Sequence, residues 1–371
     1  MPKIPNTFCP AKWDEILVNH EQAYAYACCK STPNRVSDTN VLEFIDREKI
    51  NLLSNVRDPS CEYCWQVEAA GDKSLRHFYL ENFDVTRFPE YEANTVQPNI
   101  IEVNVGNECN FQCTYCNPKF SSKWEQDVRT QPYQIFSDRH FYGIDKKQSD
   151  PMDKTIAFLT QYDTIGRLGV VGGEPLLNKK FFKLINAVKS DTLSLATNLS
   201  CKVDTLDRFI AECSRYTTVS VRVSIDATGS IAEFTRYGLN YLQFVHNLKY
   251  LIANRPPNLK IIIGSLMSSI TVRDLGAFSK LVVPLLTADI EWHIGYCQYP
   301  VTQSMKTLPE VYRPDILATI DTLSQFDIRG LDALKSVVAN TKFNKIMHQE
   351  LKHFMQEFSN RKNIEIPLCL D

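Results

Sequence analysis

Ile100-Ile-Glu-Val-Asn-Val-Gly-Asn-Glu-Cys109-Asn-Phe-Gln-Cys113-Thr-Tyr-Cys116-Asn-Pro118 is the stretch that decides how the chain is read. Residues 100–105 alternate like a strand. Cys109, Cys113 and Cys116 follow directly, with the spacing C-x3-C-x2-C. Zinc sites usually present four ligands, often as two C-x2-C pairs, and no fourth Cys or His lies close by. Three thiolates on one tight loop suit three irons of a cubane cluster. The fourth iron then stays open to a further ligand, and clusters are held by cysteines in such local runs.

Outward from this stretch the pattern stays rhythmic. Residues 168–171, 192–196, 219–225, 260–266 and 290–294 also read as strands. Helix-period stripes lie between them. One is Phe181, Phe182, Leu184, Ile185 and Val188; another is Leu206, Phe209, Ile210 and Cys213. Leu242, Val245, Leu248 and Leu251 form a third, and Leu275, Phe278, Leu281 and Val282 a fourth. Six strands alternating with helices predict parallel βαβ units with right-handed crossovers. Six are too few for a closed eight-fold barrel, so a partial barrel or an open doubly wound sheet is expected, α/β in class. Either carries its active-site loops at the C-terminal strand ends. From Arg313 onward the chain reads as helices. There Met347, Leu351, Phe354, Met355 and Phe358 form one packing face.

Composition narrows the class of protein. The 371 residues suit about two domains, and 44% apolar with 23% charged residues is ordinary for a globular chain. The 41 basic and 43 acidic residues leave a net charge of −2, which implies no broad attraction to nucleic acid or anionic membrane. The start, Met1-Pro2-Lys3-Ile4-Pro5, has no apolar signal region. The longest apolar stretches, such as 281–286, fall far short of the roughly 20 residues that span a bilayer. A cytoplasmic location is expected, where thiols stay reduced. Of the 12 cysteines, eight fall between Cys9 and Cys116. Cys201, Cys213, Cys297 and Cys369 lie far apart and read as small buried hydrophobes.

These motifs resemble the radical S-adenosylmethionine (SAM) superfamily, whose members place CxxxCxxC in the loop after the first strand of a partial (β/α)6 barrel. The resemblance spans about residues 99–300. It implies that Cys109, Cys113 and Cys116 hold a [4Fe-4S] cluster and that SAM is a cofactor. Tyr115 matches the aromatic residue near the adenine. Val171-Gly172-Gly173-Glu174-Pro175 looks like the family's GGEP loop at the SAM amino group. Thr197 and Asn198 match its TN element, and Ser224 and Asp226 the strand end that contacts the ribose. Glu233, Arg236 and Gly238 match E-x2-R-x-G, where Arg236 would fork onto the methionine carboxylate. The implied reaction is reductive cleavage of SAM to a 5′-deoxyadenosyl radical that takes hydrogen from a substrate. No GxSxG, HExxH or Walker loop competes with this reading, and no acid–base catalyst is identified.

The first 85 residues show little periodicity but hold Cys9, the pair Cys28-Cys29, and Cys61-Glu-Tyr-Cys64-Trp65. They resemble the SPASM/twitch modules of peptide-modifying radical SAM proteins, which bind an auxiliary [4Fe-4S] cluster and typically follow the barrel. Here the module would precede it. Cys9, Cys28 or its neighbour Cys29, Cys61 and Cys64 give the four ligands required, and a four-thiolate zinc site has the same count. Glu68, Gly71, Ser74 and Arg76 complete a local pattern beside them. The expected organisation is a Cys-rich module at 1–85, a linker at 86–98, the core at 99–300 and a helical extension at 301–371. The expected substrate is a peptide or protein side chain, and the expected electron donor a reductase or a ferredoxin- or flavodoxin-type protein. A small metabolite, sugar or nucleotide substrate and a non-catalytic zinc-binding protein are the rival readings.

Two further features each admit two readings. Phe120, Trp124 and Glu125 follow the cysteine loop as rim residues or simply as packing. On the sixth strand His293 reads as an acid–base group or as a satisfied core histidine.

Overall fold

A computed structural model of the chain describes residues 3–19, 24–28, 34–35, 41–69, 71, 73–133, 135, 137–138, 152–163 and 165–368. The chain forms two compact units. The first takes in Met1–Gly106, Lys146–Gly172 and Lys179–Ser194; the second takes in Asn107–Asp145, Gly173–Asn178 and Leu195–Asp371. All six strands expected from the sequence are strands, over Ile100–Asn104, Ile165–Val171, Ser190–Thr197, Thr218–Ser224, Leu259–Met267 and Ile290–Tyr296.

In the first unit Ile100–Asn104 lies parallel to Ile165–Val171 on one side and to Glu15–Asn19 on the other. Tyr24–Tyr26 and Asn34–Arg35 continue that edge as antiparallel strands. Regular structure thus begins well before residue 85. It includes the helices Val41–Leu53, Glu62–Ala69 and Leu75–Glu81. The two shorter helices give only two turns each, too few for a 3.6-residue stripe to stand out. Their order comes from caps and contacts. Ser74 accepts from His77 N–H at the start of Leu75–Glu81. Phe8, Trp13, Phe88 and Tyr91 are fully buried against one another, with Phe8 edge-on to Phe88 and Tyr91.

In the second unit Thr218–Ser224, Leu259–Met267, Ile290–Tyr296 and Ile328–Arg329 lie side by side, all parallel. Val221, Val223, Ile261, Ile263, Trp292 and Ile294 make up their buried face. The helices Val203–Cys213, Tyr241–Asn254 and Leu275–Val282 each precede or follow these strands in βαβ order. Their stripes are buried or, at Ile210, Val245 and Leu281, half-buried, with one exception. Leu242 is 80% exposed, and Phe244 with Asn247 takes the inward place. Asn247 is buried because its amide donates to Leu199 O and Cys201 O, both at 2.9 Å. A polar residue on the core face is invisible to an apolar count.

The second unit ends in the helices Arg313–Leu323, Leu331–Asn340 and Lys345–Lys362. The last buries Leu351, Phe354, Met355 and Phe358, and Phe354 and Phe358 pack against Trp124 with centroids 6.3 and 5.8 Å away. The fold is therefore α/β with mostly parallel strands, consistent with a TIM-like arrangement. Among the described residues no helix is long and apolar enough to cross a membrane.

Candidate active site and cysteine centres

The loop after Ile100–Asn104 is held shut by its polar residues. Asn107 is buried and its amide donates to Pro118 O and Glu125 Oε2, both at 2.9 Å, while its own carbonyl accepts from Ser122 N–H at 2.7 Å. Ser121 caps the helix Ser122–Thr130 and donates to Phe111 O at 2.7 Å. Trp124 is fully buried and its indole N–H donates to Cys113 O at 2.7 Å. Trp124 thus packs the loop down, as one of its two expected readings has it. Gln112–Cys113 pairs antiparallel with Arg236–Tyr237, which fixes the middle of the loop. From 189 residues away Gln303 both accepts from Thr114 Oγ1 at 2.9 Å and donates to Thr114 O at 2.5 Å.

Of the three thiols of this loop, Cys113 is buried and Cys109 and Cys116 are half-buried. Burial pushes Cys109 up to about 12 and Cys113 up to about 11. Cys116 rises further, from burial and then from Cys113 and Cys109 beside it. On Cys113 the Arg236 guanidinium is the first influence that pulls against burial, and its Nη1 lies 4.0 Å from Cys113 Sγ. Soft sulfur donors with no carboxylate or imidazole among them are the donor set that iron–sulfur clusters use. The thiols are neutral without a metal, so metal binding must release their protons. Among the described residues no three His, Cys, Asp or Glu side chains close around a single ion; a cubane instead takes its thiolates at separate irons.

Two polar groups adjoin these thiols. In the first, Asp226 is buried and its Oδ2 accepts from Tyr115 Oη and from Arg236 Nε, the latter at 2.8 Å. Its Oδ1 accepts from Leu266 N–H at 2.7 Å. The Arg236 guanidinium lies 5.7 Å from the Tyr115 ring centroid, and Nη2 has no acceptor among the described residues. In the second, the Glu174 carboxylate is 1% exposed and fully engaged. It accepts from Thr197 Oγ1 at 2.6 Å, Asn198 N–H at 2.5 Å and Leu176 N–H at 3.2 Å. Burial still raises it to about 7 against these donors. Asn198 also donates to Asn110 Oδ1 at 2.8 Å, tying this group to the cysteine loop. Gly173 is required by close approach: a Cβ there would stand 2.3 Å from Glu108 O. Gly172 has φ 135°. Ser224 ends its strand half-buried, Gly238 has φ 108°, and Glu233 accepts from Tyr241 N–H at 2.8 Å.

The structure therefore gathers Tyr115, Asp226 and Arg236 beside Cys113, and Glu174, Thr197 and Asn198 beside Asn110. Glu174 is turned inward onto backbone and side-chain donors, so its visible work is positioning two strand ends. Asn107, Asn110, Trp124 and Gln303 support the loop, and only Trp124 was singled out by sequence. The other three are single polar residues with no motif of their own.

The first unit holds the second cysteine set. Cys9, Cys28, Cys61 and Cys64 line one cavity with Lys12, Arg76 and Tyr79. Cys29 lies outside the described residues, as does Cys369. Burial raises Cys9, helped by Cys28 and Cys61. Cys61 is raised by burial and pulled back by Lys12. Lys12 is itself buried, donating to Glu48 Oε2 at 2.7 Å and Ser60 Oγ at 3.1 Å. Arg76 forks onto Glu68 at 2.9 and 2.7 Å, donates to Phe8 O at 3.2 Å and stacks over Trp65 at 5.1 Å. Ser74 donates to the same Glu68 at 2.6 Å. The pattern after Cys64 is thus one hydrogen-bonded brace. All ten described cysteines are free, and Cys201, Cys213 and Cys297 are buried as ordinary thiols.

The Radical SAM superfamily model matches residues 103–278. That match makes the chain an enzyme and implies a [4Fe-4S] cluster and SAM, with the substrate unspecified. No curated protein matches the sequence. The crystal structure of Streptococcus suis SuiB bound to S-adenosylmethionine is similar with TM-score 0.40 and 12% identity, over 88% of this chain and 72% of that one. SuiB bound to precursor peptide SuiA is similar with TM-score 0.37 and 11% identity, over 95% and 70%. Likeness at this level says nothing of chemistry.

Proposed function

We propose that this enzyme cleaves SAM reductively and uses the resulting radical on a peptide or protein side chain. The observation that carries the SAM-cleaving part is the C-x3-C-x2-C loop, with Arg236 and Asp226 locked beside buried Cys113. When bound, the cluster and SAM supply an electron and a carbon radical able to take a hydrogen atom. Cys109, Cys113 and Cys116 would hold the cluster. Arg236 would offer Nη2 to the methionine carboxylate, while Asp226 fixes its plane through Nε. Tyr115 is held through its hydroxyl by the same Asp226, leaving its ring as a wall for the adenine. Ser224, at its strand end, would face the ribose. Backbone groups of Gly172, Gly173 and Glu174 would receive the amino group, with Thr197 and Asn198 holding Glu174 in place.

Cys9, Cys28, Cys61 and Cys64 would hold an auxiliary [4Fe-4S] cluster in a SPASM/twitch-like module at residues 1–85. Their shared cavity supports this, and the buried ammonium of Lys12 would offset the charge of four thiolates. Residues 86–98 would be the connection to a core at 99–300, anchored at its start by buried Phe88 and Tyr91, and 301–371 would be the helical extension. The peptide substrate rests on the resemblance to peptide-modifying members alone. Electrons would come from a reductase or a ferredoxin- or flavodoxin-type donor in the cytoplasm.

The decisive experiment is anaerobic purification followed by SAM and dithionite. Formation of 5′-deoxyadenosine with bound iron is expected, and its loss in the Cys109→Ala/Cys113→Ala/Cys116→Ala variant. Full zinc occupancy with no iron after reconstitution, or product from the triple variant, would refute the assignment.

A further inference from the structure

The four parallel strands of the second unit bury one face, and their other face is charged. Side chains alternate along a strand, so Arg222, His293 and Arg329 lie out of step with buried Val221, Val223, Trp292 and Ile328. Register sets Gly264 beside His293, and His293 beside Arg329. Arg222 comes from the strand on the far side of Gly264 and reaches across it. Its Nη2 lies 3.2 Å from His293 Nδ1. A Cβ at Gly264 would stand 2.7 Å from Arg222 Cγ and 2.9 Å from Nη1, so only glycine leaves this path open. A guanidinium can only donate, which makes Nδ1 the acceptor. The proton of the neutral ring is then on Nε2, which donates to Glu291 Oε2 at 2.7 Å. The histidine is therefore held in one tautomer by a cation on one side and a carboxylate on the other.

Charge on this face does not cancel. Burial and then the nearby Arg329 push Arg222 down, and Glu291 opposes them. Arg222 therefore feels a second guanidinium on one side and a single carboxylate, Glu291, on the other. Arg329 is exposed and has no hydrogen-bond or ion-pair partner among the described residues. Holding like charges together is unfavourable unless an anion joins them, and a guanidinium fork suits a planar or tetrahedral oxyanion. Ser224 follows Arg222 by two residues on the same face, so this cluster begins about 7 Å below the strand end, at about 3.3 Å per residue.

We propose that Arg222 and Arg329, with His293 holding the Arg222 side chain across Gly264, bind an oxyanion of the substrate, a carboxylate or a phosphate, on the strand face below the SAM site. Its role as a substrate site rests on the radical SAM reading; the anion site itself does not. Calorimetric titration of the anaerobically purified full chain with inorganic phosphate, and separately with succinate, tests it. Ionic strength is held constant with chloride. Saturable binding of at least one anion is expected. Arg329→Gln and Arg222→Gln should each weaken it about tenfold or more, the worth of one charge-assisted hydrogen bond. Gly264→Ala should do the same by displacing Arg222. Arg329 is exposed, so Arg329→Gln is expected to fold, with an unchanged circular dichroism spectrum. Preference for phosphate identifies a phosphorylated substrate, and preference for succinate a carboxylate. No saturable heat with either anion, or affinity unchanged in both arginine variants, overturns the site. If the wild type also makes 5′-deoxyadenosine, that failure leaves the radical reading standing. Anion binding without SAM cleavage does the reverse.

Discussion

Glu174 shows how much one buried carboxylate can reveal. Its ordinary value of 4.5 is raised to about 7, because burial outweighs the donors from Thr197, Asn198 and Leu176. A raised value means that the folded state holds the proton more tightly than the unfolded chain. Stability from this group is therefore complete below about pH 4.5 and falls as pH rises toward 7. In Glu174→Gln this falling component should vanish, which urea denaturation from pH 4.5 to 7.5 would measure. The variant should also lose about 1–3 kcal/mol, because an amide nitrogen cannot accept from Thr197 or Asn198. An unchanged pH slope would show that Glu174 does not titrate in this range. Lys12 is the counterpart in the first unit. Lys12→Met would remove this ammonium's bonds to Glu48 and Ser60, at a cost of about 1–3 kcal/mol by the same denaturation measurement.

At the scale of elements, the cysteine loop is ordered by neighbours distant in sequence. Gln303 sits in a short 3-10 turn and makes a reciprocal pair of hydrogen bonds with Thr114. Gln303→Ala should destabilise the protein by about 1–3 kcal/mol and speed loss of iron to a chelator, since Thr114 lies between Cys113 and Cys116. Iron release at the wild-type rate would refute this anchoring role. Trp124→Phe removes one bond, to Cys113 O, while keeping most of the packing on Phe354 and Phe358. It should cost about 1 kcal/mol. Periodicity made the C-terminal helix legible, yet no periodicity could say that its aromatic face covers this tryptophan.

At the scale of the whole molecule, the two cysteine sets fall in separate compact units, which makes their metals separable by mutation. If each holds a [4Fe-4S] cluster, iron per chain should be about eight in the wild type and about four in the Cys9→Ala/Cys61→Ala/Cys64→Ala variant. Elemental analysis after anaerobic reconstitution checks this. Zinc lost in place of iron would convert the first unit's site to the four-thiolate alternative. The six-strand alternation was legible across both units, because buried parallel strands and amphipathic helices imprint their periods on the sequence. The short elements of the first 85 residues were not, because caps, aromatic contacts and buried ion pairs hold them instead of a repeating stripe.

By itself the sequence determined the strand–helix order, the C-x3-C-x2-C loop and the strand-end residues that resemble a SAM site. All of these are local, set by spacing within one or two elements. Tertiary structure alone decided that Glu174 faces inward, that Asp226 joins Tyr115 to Arg236, and that Cys9, Cys28, Cys61 and Cys64 share a cavity. It also decided that Arg222 reaches His293 across Gly264. These partners are brought together only when strands pair and loops close. A hydrogen bond depends on where two atoms lie in space, and residues 189 apart carry no mark of it in the sequence.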